Sequence, residues 1–79
     1  MSTSRLDRAG LIEGVAKRTG LSVRTSEKTV DAILEEIYDA LQRGECVSLK
    51  NFGTFYVRPE RESWVFKFNP AQRLRKLFG

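Results

Sequence analysis

The chain has 79 residues, 14 Lys and Arg against 10 Asp and Glu for a net charge of +4, one Cys and no His. That length allows one small domain, which buries too little apolar surface to be comfortably stable without a disulfide, a metal or a partner. The lone cysteine forms no internal disulfide, and without histidine it leaves no usual zinc-ligand set, no common general base and no serine-hydrolase triad.

Met1 to Arg5 is short and polar and reads as a loose leader, followed by a single domain over residues 6–79. Asp7 is a good N-cap for a first helix, and Gly20 a good C-terminal stop. Between them Leu11, Ile12, Val15 and Ala16 recur at helical spacing. Gly10 and Gly14 each cost roughly 1 kcal/mol relative to Ala in a helix interior. Their spacing puts them on one face, where another backbone could approach; simple tolerance of two weak positions is the other reading.

Ser22 caps a second, longer helix that runs to about Arg43 and stops at Gly44. Val30, Ile33, Leu34, Ile37, Tyr38 and Leu41 form one apolar face, and Glu27, Asp31, Glu35, Glu36 and Asp39 lie on the other. At 1.5 Å per residue such a helix is about 30 Å long, more than a lone domain of this size needs. Its stripe is most simply buried against its own sheet and a partner subunit.

The period then changes to two. Val47 and Leu49 alternate with Ser48 and Lys50 in a first strand. Asn51-Phe52-Gly53 makes a turn or bulge. Thr54 to Arg58 reads as a second strand and Trp64 to Phe68 as a third, with Pro59 to Ser63 as a tight polar turn between them. Asn69 as N-cap and Pro70 at the first helical position mark a last helix. It carries Gln72, Arg73, Arg75 and Lys76, with Leu74, Leu77 and Phe78 as its apolar side. The expected order is α-α-β-β-β-α, an α+β fold.

The charge is uneven along this order. Residues 1–46 hold seven basic and eight acidic side chains, whereas residues 47–79 hold seven basic and two acidic. Seven of the eight aromatics also lie after residue 46, Tyr38 being the exception. Cations and aromatics together suit nucleic acid, because cations on one surface neutralise phosphates and release counterions. The bland alternative is a solvated charged face around an aromatic core. No apolar run exceeds three residues, too short for a signal-peptide core or a membrane span, so no membrane association is expected. Cys46 reads as a small buried hydrophobe in a reducing cytoplasm.

Several stretches resemble the HU/IHF family of bacterial histone-like DNA-binding proteins. These are "LIEGVAKRTGLS", the helix end "ALQRGE" and above all "VSLKNFGTF", which is close to the family signature G(E/D)xVxLxxFGTF. Val47, Leu49, Phe52, Gly53, Thr54 and Phe55 sit where that pattern wants them. Near the C-terminus "FKFNPAQRLRKLF" is similar to the family's KFKPGKxLK segment through Phe68, Pro70, Leu74 and Arg75. The resemblance implies an intertwined homodimer with helices as its base and sheets as a saddle over double-stranded DNA, in the bacterial cytoplasm and nucleoid. Ile33, Ile37, Leu41, Phe52, Phe55 and Phe68 are then dimer-core residues.

The family's long β-ribbon arm, with its RNPxTG tip and DNA-wedging proline, has no counterpart here. Only seven residues separate Val57 from Val65, and Pro59 lies at the base of a tight turn. Arg58 and Arg61 are flanked by Glu60 and Glu62, and Gln72 stands where the family often has lysine. The expectation is therefore weak, salt-sensitive, non-sequence-specific DNA binding by the body, with little or no bending. The DNA-contact candidates are Arg8 at the start of the first helix, Lys50, Asn51, Arg58, Arg61, Lys67, Gln72, Arg73, Arg75 and Lys76. Trp64 either stacks on a base or covers the hairpin or dimer core beside Phe66 and Phe68.

The alternative function is an HU-like fold reused as a protein-interaction or structural module, which the missing arm and the acidic second helix both favour. A third reading takes "VAKRTGLSVRTSEKTV" as a helix-turn-helix, but it makes the second helix too long and leaves "FGTF" unexplained. No catalytic group, cofactor or metal site can be assembled, so an enzyme is not expected.

Overall fold

The computed structural model describes residues 4–79. The elements are α1 (Arg8–Thr19), α2 (Val23–Gln42), β1 (Val47–Leu49), β2 (Gly53–Glu60), β3 (Ser63–Pro70) and α3 (Gln72–Arg75), which continues as a 3-10 turn over Lys76–Phe78. The expected order of three helices around three strands holds. Met1 to Thr3 of the expected leader lie outside the described residues, and Ser4 and Arg5 are exposed without regular structure.

The helix ends follow from their capping chemistry. Asp7 accepts from the Gly10 amide at 2.9 Å, and Gly20 closes α1 in a left-handed conformation with its N–H on the Ala16 carbonyl. Ser22 Oγ accepts from the Thr25 amide at 3.1 Å at the start of α2. At its end Gly44 is left-handed, and the Glu45 amide reaches back to the Ala40 carbonyl. Gly14 meets no other group within 4 Å, and Gly10 faces the Leu6 side chain. Among the described residues, no second backbone comes within 4 Å of where a side chain on either glycine would stand.

The chain divides into two compact units, one ending at Glu35 and one running Glu36–Gly79. The first holds α1 and the first half of α2. Among the described residues of this unit, Ile12 and Val30 are the buried apolar side chains, and Ser26 is fully buried as well. Arg8 donates to Asp31 at 2.7 and 3.1 Å and to Glu27 at 3.2 Å, tying the start of α1 to α2.

The second unit is built on an antiparallel sheet of order β1-β2-β3. Leu49 accepts from the Phe52 amide across a turn in which Asn51 is left-handed, so Lys50 to Phe52 form the turn and Gly53 already begins β2. The β2–β3 hairpin is tighter than the sequence suggests. Pro59 and Glu60 belong to β2 and pair with Trp64 and Ser63, leaving Arg61 and Glu62 as the turn. Arg61 takes a left-handed φ of 55°, as two-residue hairpin turns require. Proline is tolerated here because the ladder is ending.

The last helix also differs from expectation. Asn69 and Pro70 end β3, and Ala71 is the N-cap, without a side-chain bond. The β2–β3 ladder extends to Gly53↔Pro70, and the Ala71 amide bonds the Phe52 carbonyl, so sheet pairing takes the two residues that local capping chemistry assigned to the helix. Cys46, read as buried, is exposed: it sits in the connection between α2 and β1, outside both ladders.

Candidate nucleic-acid interface

The register sorts the sheet into two chemically distinct faces. Residues directly opposite each other share a face, and alternate residues along a strand change face. One face takes Val47, Leu49, Gly53, Phe55, Val57, Pro59, Trp64, Phe66, Phe68 and Pro70, all of them apolar or glycine. The other takes Ser48, Thr54, Tyr56, Arg58, Glu60, Ser63, Val65, Lys67 and Asn69. Thr54 Oγ1 lies 3.4 Å from Ser48 Oγ across this second face. One face is built for a core and one for water or a polar ligand.

The apolar face is centred on three phenylalanines. The ring centroids of Phe55 and Phe68 lie 4.6 Å apart, and those of Phe52 and Phe68 5.6 Å, both in tilted arrangements favoured by aromatic quadrupoles. Further along, Val57, Trp64 and Phe66 join Tyr38, Leu41 and Arg43 around an open groove of about 500 Å³. Within the single chain this surface is uncovered: Trp64 is 64% exposed, Phe66 75% and Phe78 90%. Ile33, on the apolar stripe of α2, is more than half exposed, while Ile37 and Leu41 are half-buried. Trp64 therefore stands with Phe66 and Phe68 on the apolar side, away from the polar face.

The polar face carries Arg58 and Lys67 in adjacent rows, with Tyr56 opposite Lys67. Arg58 is already paired: its Nε and a terminal NH2 both donate to Glu60 Oε2, at 2.9 and 2.6 Å. The pair raises the Arg58 pKa above its ordinary value and lowers that of Glu60, where Lys67 adds a smaller pull. Lys50 and Asn51 sit in the β1–β2 turn and Arg61 at the hairpin tip, all exposed. Gln72, Arg73 and Lys76 are exposed on α3 and its 3-10 continuation. Arg75 folds back, its Nε donating to the Pro70 carbonyl and a terminal NH2 to Asn69 Oδ1, both at 3.1 Å, so its charge is anchored beside the end of β3 with no carboxylate on it. The second unit thus holds nine of the ten candidate contacts, with Arg61 at one end of the β2–β3 ladder and Lys50, Asn51 and the α3 residues at the other.

Arg8 is the tenth, and it belongs to the other unit. Its guanidinium is occupied by Asp31 and Glu27, which raise its pKa. The Asp7 carboxylate already accepts an amide at that helix start. Sequence reasoning passed over Ser48, Thr54, Tyr56 and Asn69 as members of the polar face. The strict alternation with the phenylalanines was the signal that identifies them.

Residues 6–65 match the profile of the family described as bacterial DNA-binding protein. The chain belongs to that family, the HU/IHF proteins. It is 45% identical over 62 residues to integration host factor subunit alpha of Mesorhizobium japonicum, covering 78% of this chain and 58% of that relative. It is 42% identical over 57 residues to DNA-binding protein HU of Xylella fastidiosa, covering 72% of this chain and 61% of the relative. The match therefore spans about three-fifths of the length of these curated relatives. Among solved structures, an HU mutant from Thermotoga maritima superposes with a TM-score of 0.83 at 34% identity, covering 92% of this chain and 99% of the other. Anabaena HU, in a co-crystal with DNA, shares the fold with a TM-score of 0.81 at 21% identity, covering 90% of this chain and 95% of the other. The helix-turn-helix reading is set aside by this membership.

Proposed function

We propose that the protein binds double-stranded DNA without sequence preference, as a small homodimer, through the polar face of its sheet, the β1–β2 turn and the start of α3. The observation that carries this reading is the segregation of the sheet. A face with Arg58, Lys67 and a row of hydroxyl and amide groups suits a phosphate backbone, while the opposite face carries no charge at all. The description of the family as bacterial DNA-binding proteins supports DNA binding as such.

The uncovered apolar surface supports the dimer. Burying a large apolar side chain contributes about 1.5–3 kcal/mol, and within one chain Ile33, Tyr38, Trp64 and Phe66 leave most of that unrealised. A second copy that covers the phenylalanine cluster, the α2 stripe with Ile33, Ile37 and Leu41, and the neighbouring groove supplies the core that a single chain lacks. Lys50, Asn51, Arg61, Lys67, Gln72, Arg73, Arg75 and Lys76 are the proposed contacts, with Arg58 conditional on its partner Glu60. The role assigned to Arg8 becomes structural, because two carboxylates already hold it.

The two-residue turn at Arg61 and Glu62 leaves nothing to reach around a duplex, so binding is expected without sharp bending. As in the family at large, the role is architectural rather than enzymatic, and the nucleoid of the bacterial cytoplasm is the expected location. No helix among the described residues is long and apolar enough to cross a membrane. A second reading, a protein-interaction module, is favoured by the pairing of Arg8 and Arg58 with carboxylates. Titration of a labelled duplex over a salt series, with energy transfer between its ends, separates the two. Salt-dependent binding with unchanged end-to-end distance supports the DNA reading, and its absence supports the other.

A further inference from the structure

We propose that Glu60 is a built-in competitor for phosphate, holding Arg58 so that the polar face takes DNA more weakly than its cations allow. The proposal rests on the reading of that face as the DNA surface. Glu60 is the only acidic residue on it: Ser48, Thr54, Tyr56, Arg58, Ser63, Val65, Lys67 and Asn69 complete the face. Every other carboxylate of the second unit lies on α2, in the connection after it, or at the hairpin tip.

The geometry is that of a phosphate contact with the wrong anion in place. Arg58 and Glu60 are two apart on one strand, so their side chains leave the same side of the sheet as neighbours. Two guanidinium donors converge on one carboxylate oxygen at 2.9 and 2.6 Å. The same donors match a phosphate oxygen in the paired fashion that arginine favours. Both side chains are close to half exposed, so a duplex can reach the pair without unfolding the hairpin. The carboxylate that occupies Arg58 also stands close enough to Lys67 to be felt there, and it repels an incoming phosphate backbone.

The chain contains its own matched control. Arg43 makes a similar pair with Glu45, with a terminal NH2 at 2.8 Å and Nε at 3.3 Å. Arg43 lines the groove with Val57, Trp64 and Phe66, on the apolar side of the sheet. Glu60→Gln and Glu45→Gln therefore add the same charge to the protein on opposite sides.

The test compares the full chain with these two variants, titrating a short labelled duplex of mixed sequence over a salt series by fluorescence anisotropy. Each freed phosphate contact adds about 0.9 to the salt slope, so Glu60→Gln is expected to steepen it by roughly two per dimer and to tighten low-salt binding several-fold. Glu45→Gln is expected to leave the slope unchanged. Equal behaviour of the two variants overturns the proposal, since net charge alone then explains any gain. A Glu60→Gln slope equal to that of the parent overturns it as well. If the parent fails to bind but Glu60→Gln binds, the proposal stands in its strongest form. If all three fail at about 50 mM salt, the reading of the face as a DNA surface falls and takes this proposal with it. Melting curves and the sedimentation mass of each variant, with Glu60→Ala as a second substitution, show that fold and dimer are retained.

Discussion

Gly53 and Phe68 are in contact so close that no side chain fits between them. A Cβ on Gly53 would lie 2.6 Å from Phe68 Cζ and equally close to the Asn69 carbonyl oxygen, at a φ of 156°. The signature glycine thus lets the β1–β2 turn bring β2 against the aromatic cluster. Gly53→Ala is expected to destabilise the protein by at least about 2 kcal/mol, from backbone strain and overpacking together. Chemical unfolding at fixed protein concentration measures it, and a change below about 0.5 kcal/mol contradicts the packing described.

Ser26 makes the opposite prediction. Its side chain is fully buried, and its Oγ has no hydrogen-bond partner among the described residues. An unpaired buried hydroxyl costs about 1–3 kcal/mol, and alanine removes it with almost no change in volume. Ser26→Ala should therefore raise stability by about 1 kcal/mol. A loss of that size in the same unfolding experiment would show that the hydroxyl has a partner in the assembled protein.

The phenylalanine cluster should behave as a core although a single chain leaves it partly open. Phe55→Ala is expected to cost about 3–5 kcal/mol. The melting temperature of the parent should rise with protein concentration, because folding and association are linked. A concentration-independent melt together with a sedimentation mass of one 9.0 kDa chain contradicts the dimer.

Two cations separate structure from binding. Lys67 lies on the polar face and belongs to none of the ion pairs among the described residues, so Lys67→Ala should lower the salt slope by roughly two per dimer. Arg8 is committed to Asp31 and Glu27, so Arg8→Ala should lower the melting temperature and leave the slope intact. The reverse pattern would move the interface to the start of α1.

The Arg58–Glu60 pair also sets a pH dependence. The Glu60 pKa is lowered from its ordinary value of 4.5, chiefly by the Arg58 hydrogen bonds. A lowered carboxylate pKa gives stability that is present in full above 4.5 and is lost as the pH falls through the folded-state value. The melting difference between the parent and Glu60→Gln should be constant near neutrality and shrink only below that range. A difference that shrinks between pH 6 and roughly 8 would mean another group controls it.

Much of this was legible in the sequence. Asp7, Gly20, Ser22 and Gly44 mark the helix ends because caps are local chemistry, and "VSLKNFGTF" carries the sheet and its turn. The hairpin and the last helix were misjudged where local and non-local preferences compete. Pro59, Asn69 and Pro70 carry turn and cap signals, but the β2–β3 ladder runs through all three. The site was legible as a set of cations and not as a set of pairs. Charge counting treats Arg8 and Lys67 alike, whereas only the fold puts Arg8 against Asp31 and Glu27. The exposure of Cys46 likewise depends on where the chain passes between elements, which composition does not encode.

Duplex DNA binding as a function of salt decides whether the polar face is a DNA surface. A dimer using the polar face should bind a mixed-sequence duplex at micromolar concentration in about 50 mM salt, and the logarithm of its affinity should fall linearly with that of salt. The distance between the duplex ends should not change on binding. No binding under those conditions, or binding indifferent to salt, contradicts the central claim.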